Sequence, residues 1–309
     1  MYYFIVNPKS KSGRGLAVWN EVKKVLDKKH IEYSYYVTTH KGHATKFAAE
    51  ISNIQSESRK FVVVVGGDGT VNEVINGLHD YTNCVLGYIP TGKNNDLAKG
   101  LGIPSDPIEA LNIVIETHKF IKVDHGTTTL LDSKDNYTRK FSTSTGMGLD
   151  ANICNEAINS GLRNALTKIK LGWLSYLIIT FKQVLSLKFT DAKVYIDGTE
   201  RRYNQMAFVA SLIQKRDGGL CLAPKAKYND QKLSVCIVYG MSKLKIMYLL
   251  PTLLFGKHLN MDGVDVFTCS ELEVITDKKL IVHVDGEYAG RSNHIKNHCL
   301  ETQIYMPHR

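Results

Sequence analysis

Cysteine and histidine spacings that would build a metal centre or a disulfide framework are missing from this 309-residue sequence. The six cysteines are scattered without a CxxC pair, and the eleven histidines include no HExxH motif. Zinc fingers and zinc hydrolases need such spacings to gather several ligands around one ion. We therefore interpret the cysteines as reduced, packed thiols of a cytosolic protein.

Long apolar runs are missing as well. The two longest, residues 171–184 and 248–255, are interrupted by Lys182 and Pro251, and neither is long enough to cross a bilayer. The opening residues MYYFIVNPKS contain no basic stretch ahead of an apolar core, so we expect no secretory signal. These features predict a soluble, cytoplasmic protein that meets membranes only peripherally, at their inner surface.

Positive charge is in excess. A formal net charge of +9 predicts an anionic partner, which could be nucleic acid, an acidic membrane or a polyphosphate. The sequence contains no basic motif interleaved with aromatic residues, which is typical of nucleic-acid binding. We therefore expect no nucleic-acid partner and retain the other two classes.

The first third of the sequence alternates strand-like and helical segments. Short apolar runs at 2–6, 31–37, 61–65 and 84–89 are separated by apolar residues at helical spacing. The third run holds four consecutive valines, a pattern typical of a strand that is buried on both faces. Repeated strand–helix units with short connections predict an α/β domain with a parallel sheet over residues 1–125.

The rhythm differs in the rest of the chain. From Thr190 onward the segments are short and strand-like, and Asp-Gly turns separate several of them. This pattern predicts a mostly antiparallel, β-sandwich-like second domain over residues 126–294, with helical inserts near 152–187 and 242–257. We expect residues 295–309 to return to the first domain and complete it.

A glycine-rich loop follows the valine strand, in the segment VVVVGGDGTVNEVINGL. Gly66, Gly67 and Gly69 let the backbone turn tightly, and the following helix N-terminus offers amide groups to a phosphate. A carboxylate at Asp68 would repel a bare phosphate but would suit a divalent cation that bridges to a nucleotide. The loop alone leaves two interpretations open: cation-assisted nucleotide binding, or a tight turn in which Asp68 caps the helix.

Two further polar loops follow strands of the same predicted sheet. NPKSKSGRG at 7–15 follows the first strand, and PTGKNND at 90–96 follows the fourth. Ligands of open α/β sheets bind beyond the carboxyl ends of the strands, where all three loops would meet. Together the loops predict a nucleotide site, whereas each one alone would be interpreted as a solvated turn.

Taken in order, NPKSKSGRG, GGDGTVNEVINGL and PTGKNNDLAKGLGIP resemble the catalytic domain of the diacylglycerol kinase family, especially its compact bacterial lipid kinases. Downstream, GGLCLAPKAKYNDQKLSV at 218–235 is similar to the family's glycine-rich segment, and HVDGE at 283–287 to its late DGE motif. The resemblance spans nearly the whole chain. It implies an NAD-kinase-like α/β domain, a β-rich domain for the lipid substrate, and Mg²⁺-dependent transfer of the γ-phosphate of ATP to a lipid hydroxyl. Diacylglycerol, which would yield phosphatidic acid, is the leading acceptor.

The resemblance also implies roles for individual residues. Asp68 and Glu287 would be the catalytic carboxylates, with Glu287 accepting the proton of the lipid hydroxyl. A structural Mg²⁺ would be held by Asp230 and by the backbone carbonyls of Lys227 and Lys232. The implied ATP contacts are Asn7, Pro8, Lys9, Ser10, Gly13, Thr38, Gly66, Gly67, Gly69, Thr70, Glu73, Thr91, Gly92, Lys93, Asn95 and Asp96.

Several residues depart from the family's pattern. Lys93 stands where Thr or Ser is usual, although a lysine can still reach phosphate as a point charge. Gln231 follows Asp230 in place of the glycine that suits a tight turn. Two alternatives to a lipid kinase stay open: an NAD kinase-like enzyme, which resembles the family in its GGDGT loop, and a nucleotide-sensing regulatory protein without catalysis, which these departures would support. The acceptor is open among diacylglycerol, a sphingoid base, a polyprenol and a glycolipid.

Basic residues beside apolar segments predict contact with an anionic membrane surface. One apolar stretch, 171–181, is flanked by Arg163, Lys168 and Lys170, and another, 249–255, by Lys243, Lys245 and Lys257. We hypothesise that at least one of these stretches touches the membrane. An exposed strand edge in the second domain would also be compatible with a homodimer.

Overall fold

A computed structural model describes residues 1–133, 136–159 and 172–309 of the protein. The described chain divides into two compact units. The first comprises Met1–His125, Tyr228–Asp230 and Leu300–Arg309, and the second comprises the remaining described residues between Gly126 and Cys299.

The first unit alternates strands and helices along the chain. Its elements are β1 (Tyr2–Val6), α1 (Arg14–Lys28), β2 (Tyr33–Val37), α2 (His43–Asn53), β3 (Lys60–Gly66), α3 (Asp68–Gly77), β4 (Cys84–Pro90), α4 (Asp96–Gly100), α5 (Pro107–Glu116), β5 (Phe120–Val123) and, at the end of the chain, β15 (Ile304–Pro307). The strand order is β2-β1-β3-β4-β15-β5, and all pairs are parallel except β15 with β5. The predicted α/β domain with a parallel sheet is confirmed.

The valine run places β3 in the interior of this sheet. Alternate side chains of a strand point to opposite faces, and Val62 and Val64 pack in one core cluster with α2 and α3. Val63 and Val65 pack in the other cluster, with α1 and α5. A strand covered on both faces needs apolar residues at every position, which explains the uninterrupted run.

The end of the chain completes the first unit. β15 lies between β4 and β5, and its buried Ile304 and Met306 join the core cluster of α2 and α3. We expected the return to begin at residue 295, but residues 295–299 pair with β6 in the second unit. The return begins at Leu300 because the preceding strand continues its antiparallel ladder up to Cys299.

The second unit is built around a nine-stranded antiparallel sheet. Its elements are β6 (Gly126–Leu130), β7 (Tyr137–Phe141), β8 (Ser144–Gly148), α6 (Leu149–Asn159), α7 (Gly172–Ser186), β9 (Thr190–Ile196), β10 (Thr199–Leu212), β11 (Leu233–Tyr239), α8 (Lys243–Phe255), β12 (Val264–Cys269), β13 (Glu271–Val284) and β14 (Glu287–Cys299). The strand order is β12-β11-β10-β8-β13-β14-β6-β7, and β9 pairs with β10 and β13. The predicted antiparallel β architecture with helical inserts is confirmed.

Three helices cover apolar side chains of β10 and β11. Ile153 of α6, Ile179 of α7 and Leu249 of α8 share one core cluster with Phe208 and Cys236 of these strands. Within the described part of the chain, no helix is both long enough and apolar enough to cross a membrane. Because α6, α7 and α8 bury apolar surface against the sheet, they stabilise the second unit.

All six cysteines lie in the described residues, and none forms a disulfide. Five of them are buried. Burial raises the pKa of Cys236 and of Cys269 to about 12, so these thiols stay protonated and unreactive at neutral pH.

A buried cation joins α2 to β3 in the first unit. Lys60 is only 2% exposed, and its Nζ donates to the carbonyls of Ser52 (2.8 Å) and Ile54 (2.9 Å) at the end of α2. Nζ also lies 3.6 Å from Asp80 Oδ2. Partial burial acts to raise the pKa of Asp80, but hydrogen bonds from Thr82 and Asn83 and the charge of Lys60 lower it. The ammonium group is thus compensated by a helix C-terminus and a carboxylate.

Replacing Lys60 by Met should lower the free energy of unfolding by roughly 2–3 kcal/mol, because two carbonyls and Asp80 lose their partner. Urea denaturation measures this change. Lys46→Met is the control, since Lys46 is exposed and pairs with Glu50 at 3.9 Å on the same helix. A change below about 0.5 kcal/mol is expected there. Equal effects of the two substitutions would contradict the role assigned to Lys60.

Candidate functional site

The carboxyl ends of β1, β3 and β4 lie side by side, since β3 pairs with both neighbours. The parallel pattern continues into the loops. The Asn7 amide donates to the β3 backbone at 2.9 Å, and the Thr91 amide donates to Gly66 at 2.7 Å. The Thr38 amide donates to the last residue of β1 at 2.8 Å. The three polar loops and Thr38 therefore meet at one edge of the sheet.

Side-chain hydrogen bonds tie the first loop to the other two. Asn7 Nδ2 donates to Thr70 Oγ1 in the first turn of α3, at 3.0 Å. Ser10 Oγ and Thr91 Oγ1 lie 2.6 Å apart, and either hydroxyl can be the donor. Hydroxyl and amide groups beside a helix N-terminus form the kind of surface that binds phosphate oxygens.

The second and third loops approach each other so closely that side chains are excluded. A Cβ added to Gly92 would lie 2.6 Å from Gly67 Cα, and one added to Gly67 would lie 3.0 Å from Gly92 Cα. Asn95 fastens the third loop, because its Oδ1 accepts from the Gly92 amide (2.9 Å) and from Tyr88 Oη (3.1 Å). Backbone packs directly on backbone here, so a Cβ is excluded at Gly92 and would be tightly crowded at Gly67.

Two carboxylates stand at adjacent helix starts. Asp68 is the first residue of α3 and Asp96 the first of α4, and Asp68 Oδ1 accepts from the Leu97 amide at 3.4 Å. Burial, helped by the charges of both acids, raises the pKa of Tyr88 well above 10.0. The charges of Asp68 and Asp96 thus both influence the Tyr88 hydroxyl, and we refer to these two carboxylates as the acidic pair. The partial positive charge of two helix N-termini stabilises this pair.

Other predicted contact residues differ in their surroundings. Lys9, Gly13 and Lys93 are exposed, and Pro8 is half-buried in the first loop. Glu73 is engaged within the fold, because its carboxylate accepts from the amides of Gly42 (2.9 Å) and Ala44 (3.2 Å). Glu73 therefore caps α2 and contributes to the loop edge by fixing the start of that helix. Gly69 lies in the first turn of α3.

In the second unit, the DGE motif forms the turn between β13 and β14. Asp285 accepts hydrogen bonds from three consecutive amides at 142–144, with distances of 2.8–3.0 Å. Glu287 Oε2 lies 2.9 Å from Arg139 Nη2 on β7. Burial acts to lower the pKa of Arg139, but the hydrogen bond and charge of Glu287 outweigh it and raise the pKa. Asp285 therefore holds backbone, whereas Glu287 is oriented by an arginine.

The residues predicted to hold a structural Mg²⁺ are exposed: Lys227, Asp230 and Lys232. Gln231 adopts a left-handed backbone conformation (φ 56°), so the tight turn persists without glycine at a cost of about 1–2 kcal/mol. Among the described residues, no group of three or more His, Cys, Asp or Glu side chains is placed to hold a metal. A cation at Asp230 would therefore depend on backbone carbonyls, which are ligands that Mg²⁺ and Ca²⁺ accept.

Sequence reasoning missed two charged residues near these segments. Asp124 is fully buried directly after β5, and its Oδ1 accepts from Gln303 Nε2 at 2.7 Å. The sequence did carry a signal for Asp124, because this acid immediately follows an apolar strand, much as Asp68 follows the glycines after β3. Arg139 carried no such signal, because only the sheet brings it to Glu287, 148 residues away.

Comparisons with known proteins agree with this architecture. The model of the diacylglycerol kinase catalytic domain matches residues 1–128, and that of the YegS C-terminal NAD kinase beta sandwich-like domain matches residues 143–299. The chain is 32% identical to "Putative lipid kinase YtlR" of Bacillus subtilis over 292 residues, 94% of each protein. It is 26% identical to a diacylglycerol kinase of Staphylococcus carnosus, across 98% of this chain and 94% of that protein. The chain belongs to the diacylglycerol kinase catalytic-domain family, as its motifs predicted.

Solved structures share the fold at low identity. A "putative diacylglycerol kinase" from Bacillus anthracis has a TM-score of 0.77 and 22% identity, covering 100% of this chain and 97% of that chain. An NAD kinase from Archaeoglobus fulgidus, solved in complex with ATP, has a TM-score of 0.54 and 14% identity, covering 100% and 94%. Family and fold together define the class of this protein as a kinase of the lipid-kinase type.

Gly92→Ala should lower the free energy of unfolding by about 1–3 kcal/mol, because its Cβ would collide with backbone that cannot rotate away. Chemical denaturation tests this expectation. Gly87→Ala in β4 is the matched control, since its Cβ would meet only valine methyl groups at 3.1–3.2 Å. If Gly87→Ala proved the more destabilising of the two, the close packing of the second and third loops would not be the stronger constraint on stability.

Proposed function

We propose that this protein is an ATP- and Mg²⁺-dependent lipid kinase that transfers the γ-phosphate of ATP to a lipid hydroxyl. Diacylglycerol is the leading acceptor, with phosphatidic acid as product. The observation that carries the proposal is the single sheet edge where three glycine-bearing loops, hydroxyl and amide side chains and a pair of carboxylates meet. Membership of the diacylglycerol kinase catalytic-domain family supports it.

The first unit offers groups that suit a nucleotide triphosphate. Amide and hydroxyl side chains lie beside the starts of α3 and α4, and the exposed Lys9 and Lys93 add positive charge. Asp68 and Asp96 would hold Mg²⁺, since carboxylate oxygens are the ligands it prefers. The bound ion would neutralise negative charge on the phosphate oxygens during transfer.

Glu287 is the residue we propose as the acceptor of the hydroxyl proton. A carboxylate can take this proton late in phosphoryl transfer, when little basic strength is needed. The 2.9 Å bond to Arg139 orients one of its oxygens. Asp285 is unsuited to the same role, because its carboxylate already accepts from three backbone amides.

The second unit favours a lipid over NAD as the acceptor. A cavity of about 460 Å³ lies among α6, α7 and α8, and its walls are almost entirely apolar. Its lining includes Ile153, Ile178, Phe181, Met247, Leu250 and Leu254. An acyl chain would be stabilised there at roughly 25 cal/mol for each Å² removed from water. A dinucleotide would instead lose hydrogen bonds to water without replacement.

Helix α8 is apolar on two sides. Its inner residues Ile246, Leu249 and Leu253 are buried in the core. On the outer side, Leu244, Tyr248 and Phe255 recur at helical spacing and are 78%, 72% and 72% exposed. Lysines lie near both ends of the helix. An outward apolar stripe with basic flanks suits the surface of an anionic membrane.

The other segment predicted to touch the membrane overlaps α7. Its basic flank, Arg163, Lys168 and Lys170, lies outside the described residues. Phe181 and Leu185 of α7 are about half exposed and extend the apolar surface beside the cavity. The membrane-facing surface that we propose therefore comprises the outer sides of α7 and α8.

The first experiment is transfer of labelled γ-phosphate from ATP to diacylglycerol in mixed anionic micelles, beside NAD as a second acceptor. We expect labelled phosphatidic acid from the wild type and no product without Mg²⁺ or with Asp68→Ala. Glu287→Gln should lose about 10²–10⁴-fold in rate, the usual contribution of a positioned base.

Glu200→Gln is the matched control for Glu287→Gln. Glu200 also pairs with an arginine, Arg202 at 3.0 Å, but on the exposed hairpin of β9 and β10, and its loss should leave the rate unchanged. Product from NAD alone would replace the lipid kinase with an NAD kinase. ATP binding without product from any lipid or from NAD would favour the nucleotide-sensing protein.

The double substitution Tyr248→Asp and Phe255→Asp should weaken binding to anionic vesicles at least about tenfold. Each aromatic side chain contributes about 1.5–3 kcal/mol when it leaves water, and each new carboxylate is repelled by anionic lipid. Co-sedimentation with vesicles of graded anionic content measures the effect. Tyr137→Asp on β7, which is also exposed, serves as control and should bind normally. Undiminished binding of the double variant would exclude α8 as the docking helix.

A further inference from the structure

A buried polar cluster lies beside the DGE turn of the second unit. His283 of β13 is 1% exposed, and its Nε2 lies 3.2 Å from Asp150 Oδ2 and 3.9 Å from Asp217 Oδ2. Asp150 stands in the first turn of α6, directly after β8. Buried polar groups are costly unless they are paired, so the cluster needs a structural or functional reason.

The other ring nitrogen of His283 reaches the turn itself. The Gly286 amide donates to His283 Nδ1 at 3.2 Å. Because Nδ1 accepts this bond, the neutral ring carries its proton on Nε2, on the side of Asp150. Both ring nitrogens therefore have hydrogen-bond partners within the fold. His283 links α6 to the residue immediately before Glu287.

Strand β8 leaves space for this pair. Gly146 lies opposite His283 in the sheet, and a Cβ at Gly146 would fall 1.9 Å from Asp150 Oδ2 and 2.7 Å from His283 Nε2. Any other residue at this position would displace the aspartate or the imidazole. The lack of a side chain at Gly146 thus leaves the space that the Asp150–His283 pair occupies.

The turn is therefore fastened at each of its three residues. Asp285 binds the amides at 142–144, Gly286 binds His283, and Glu287 binds Arg139. We propose that His283, oriented by Asp150, is a positioning residue that sets the place of the Glu287 carboxylate through the Gly286 amide. This inference rests on the proposed role of Glu287 as proton acceptor. Small displacements of a reacting group cost catalysis far more than they cost stability.

Two substitutions of His283 test the hydrogen bonds of its two ring nitrogens separately. In His283→Asn the amide oxygen can stand near Nδ1 and accept from Gly286, whereas in His283→Gln the amide group reaches only towards Asp150. His283→Gln should lower kcat about tenfold or more with the KM for ATP within about twofold. His283→Asn should recover most of that loss. Thermal unfolding of both variants, measured in parallel, reports any general loss of structure.

A double-mutant cycle with Glu287→Gln tests whether His283 acts through Glu287. We expect His283→Gln to cause little further loss in the Glu287→Gln background, because the positioned group is then already gone. The proposal would be overturned if the rate losses of His283→Gln and Glu287→Gln multiplied in the double variant. It would also be overturned if His283→Asn were no more active than His283→Gln.

Hydrogen exchange of the 283–288 segment supplies a readout that does not depend on activity. Exchange should accelerate in His283→Gln and stay near the wild-type rate in His283→Asn. If the wild type itself forms no product, the proposed function fails, and the role of Glu287 fails with it. The exchange pattern then decides separately whether His283 holds the turn. Equal exchange rates in the wild type, His283→Gln and His283→Asn would refute that role of His283 as well.

Discussion

Parallel pairing of β1, β3 and β4 governs what the first unit can do. Strands that run in the same direction release their loops at the same edge, and neighbouring strands lie only about 4.8 Å apart. Loops leaving such strands have little room between them, which is why Gly67 and Gly92 meet backbone to backbone. The same closeness brings Asn7 to Thr70 and Ser10 to Thr91. Sheet geometry thereby converts three separate polar segments into one surface.

Carboxylates of the second unit fall into two kinds. Asp285 and Asp150 are saturated by backbone amides or by a histidine, so their charges hold the fold in place. Glu287 pairs with Arg139, and its side chain is 26% exposed. The proton exchange proposed for Glu287 needs access to a reacting group, whereas a carboxylate that anchors backbone needs its hydrogen-bonding capacity filled. Asp285 and Glu287 are only two residues apart, but their different hydrogen-bond partners give the two carboxylates different surroundings.

Kinases with different acceptors share this fold. The solved neighbours carry the names of a "putative diacylglycerol kinase" and an NAD kinase, and they share the fold of this chain. Function on a shared fold is decided by local sites. In this chain the proposed choice of a lipid acceptor rests on the apolar cavity among α6, α7 and α8, together with the exposed stripe of Leu244, Tyr248 and Phe255.

Local patterns in the sequence determined much of this protein. The valine run of β3, the helical spacing that follows it and the Asp-Gly turns predicted both architectures, because periodicity and turn chemistry act over a few residues. The motifs determined the family. Only the tertiary structure decided that the last strand joins the first unit at Leu300, that Glu287 pairs with Arg139, and that His283 pairs with Asp150. Partners 148 and 133 residues apart meet through strand pairing, and no local pattern encodes which distant strand a segment will join.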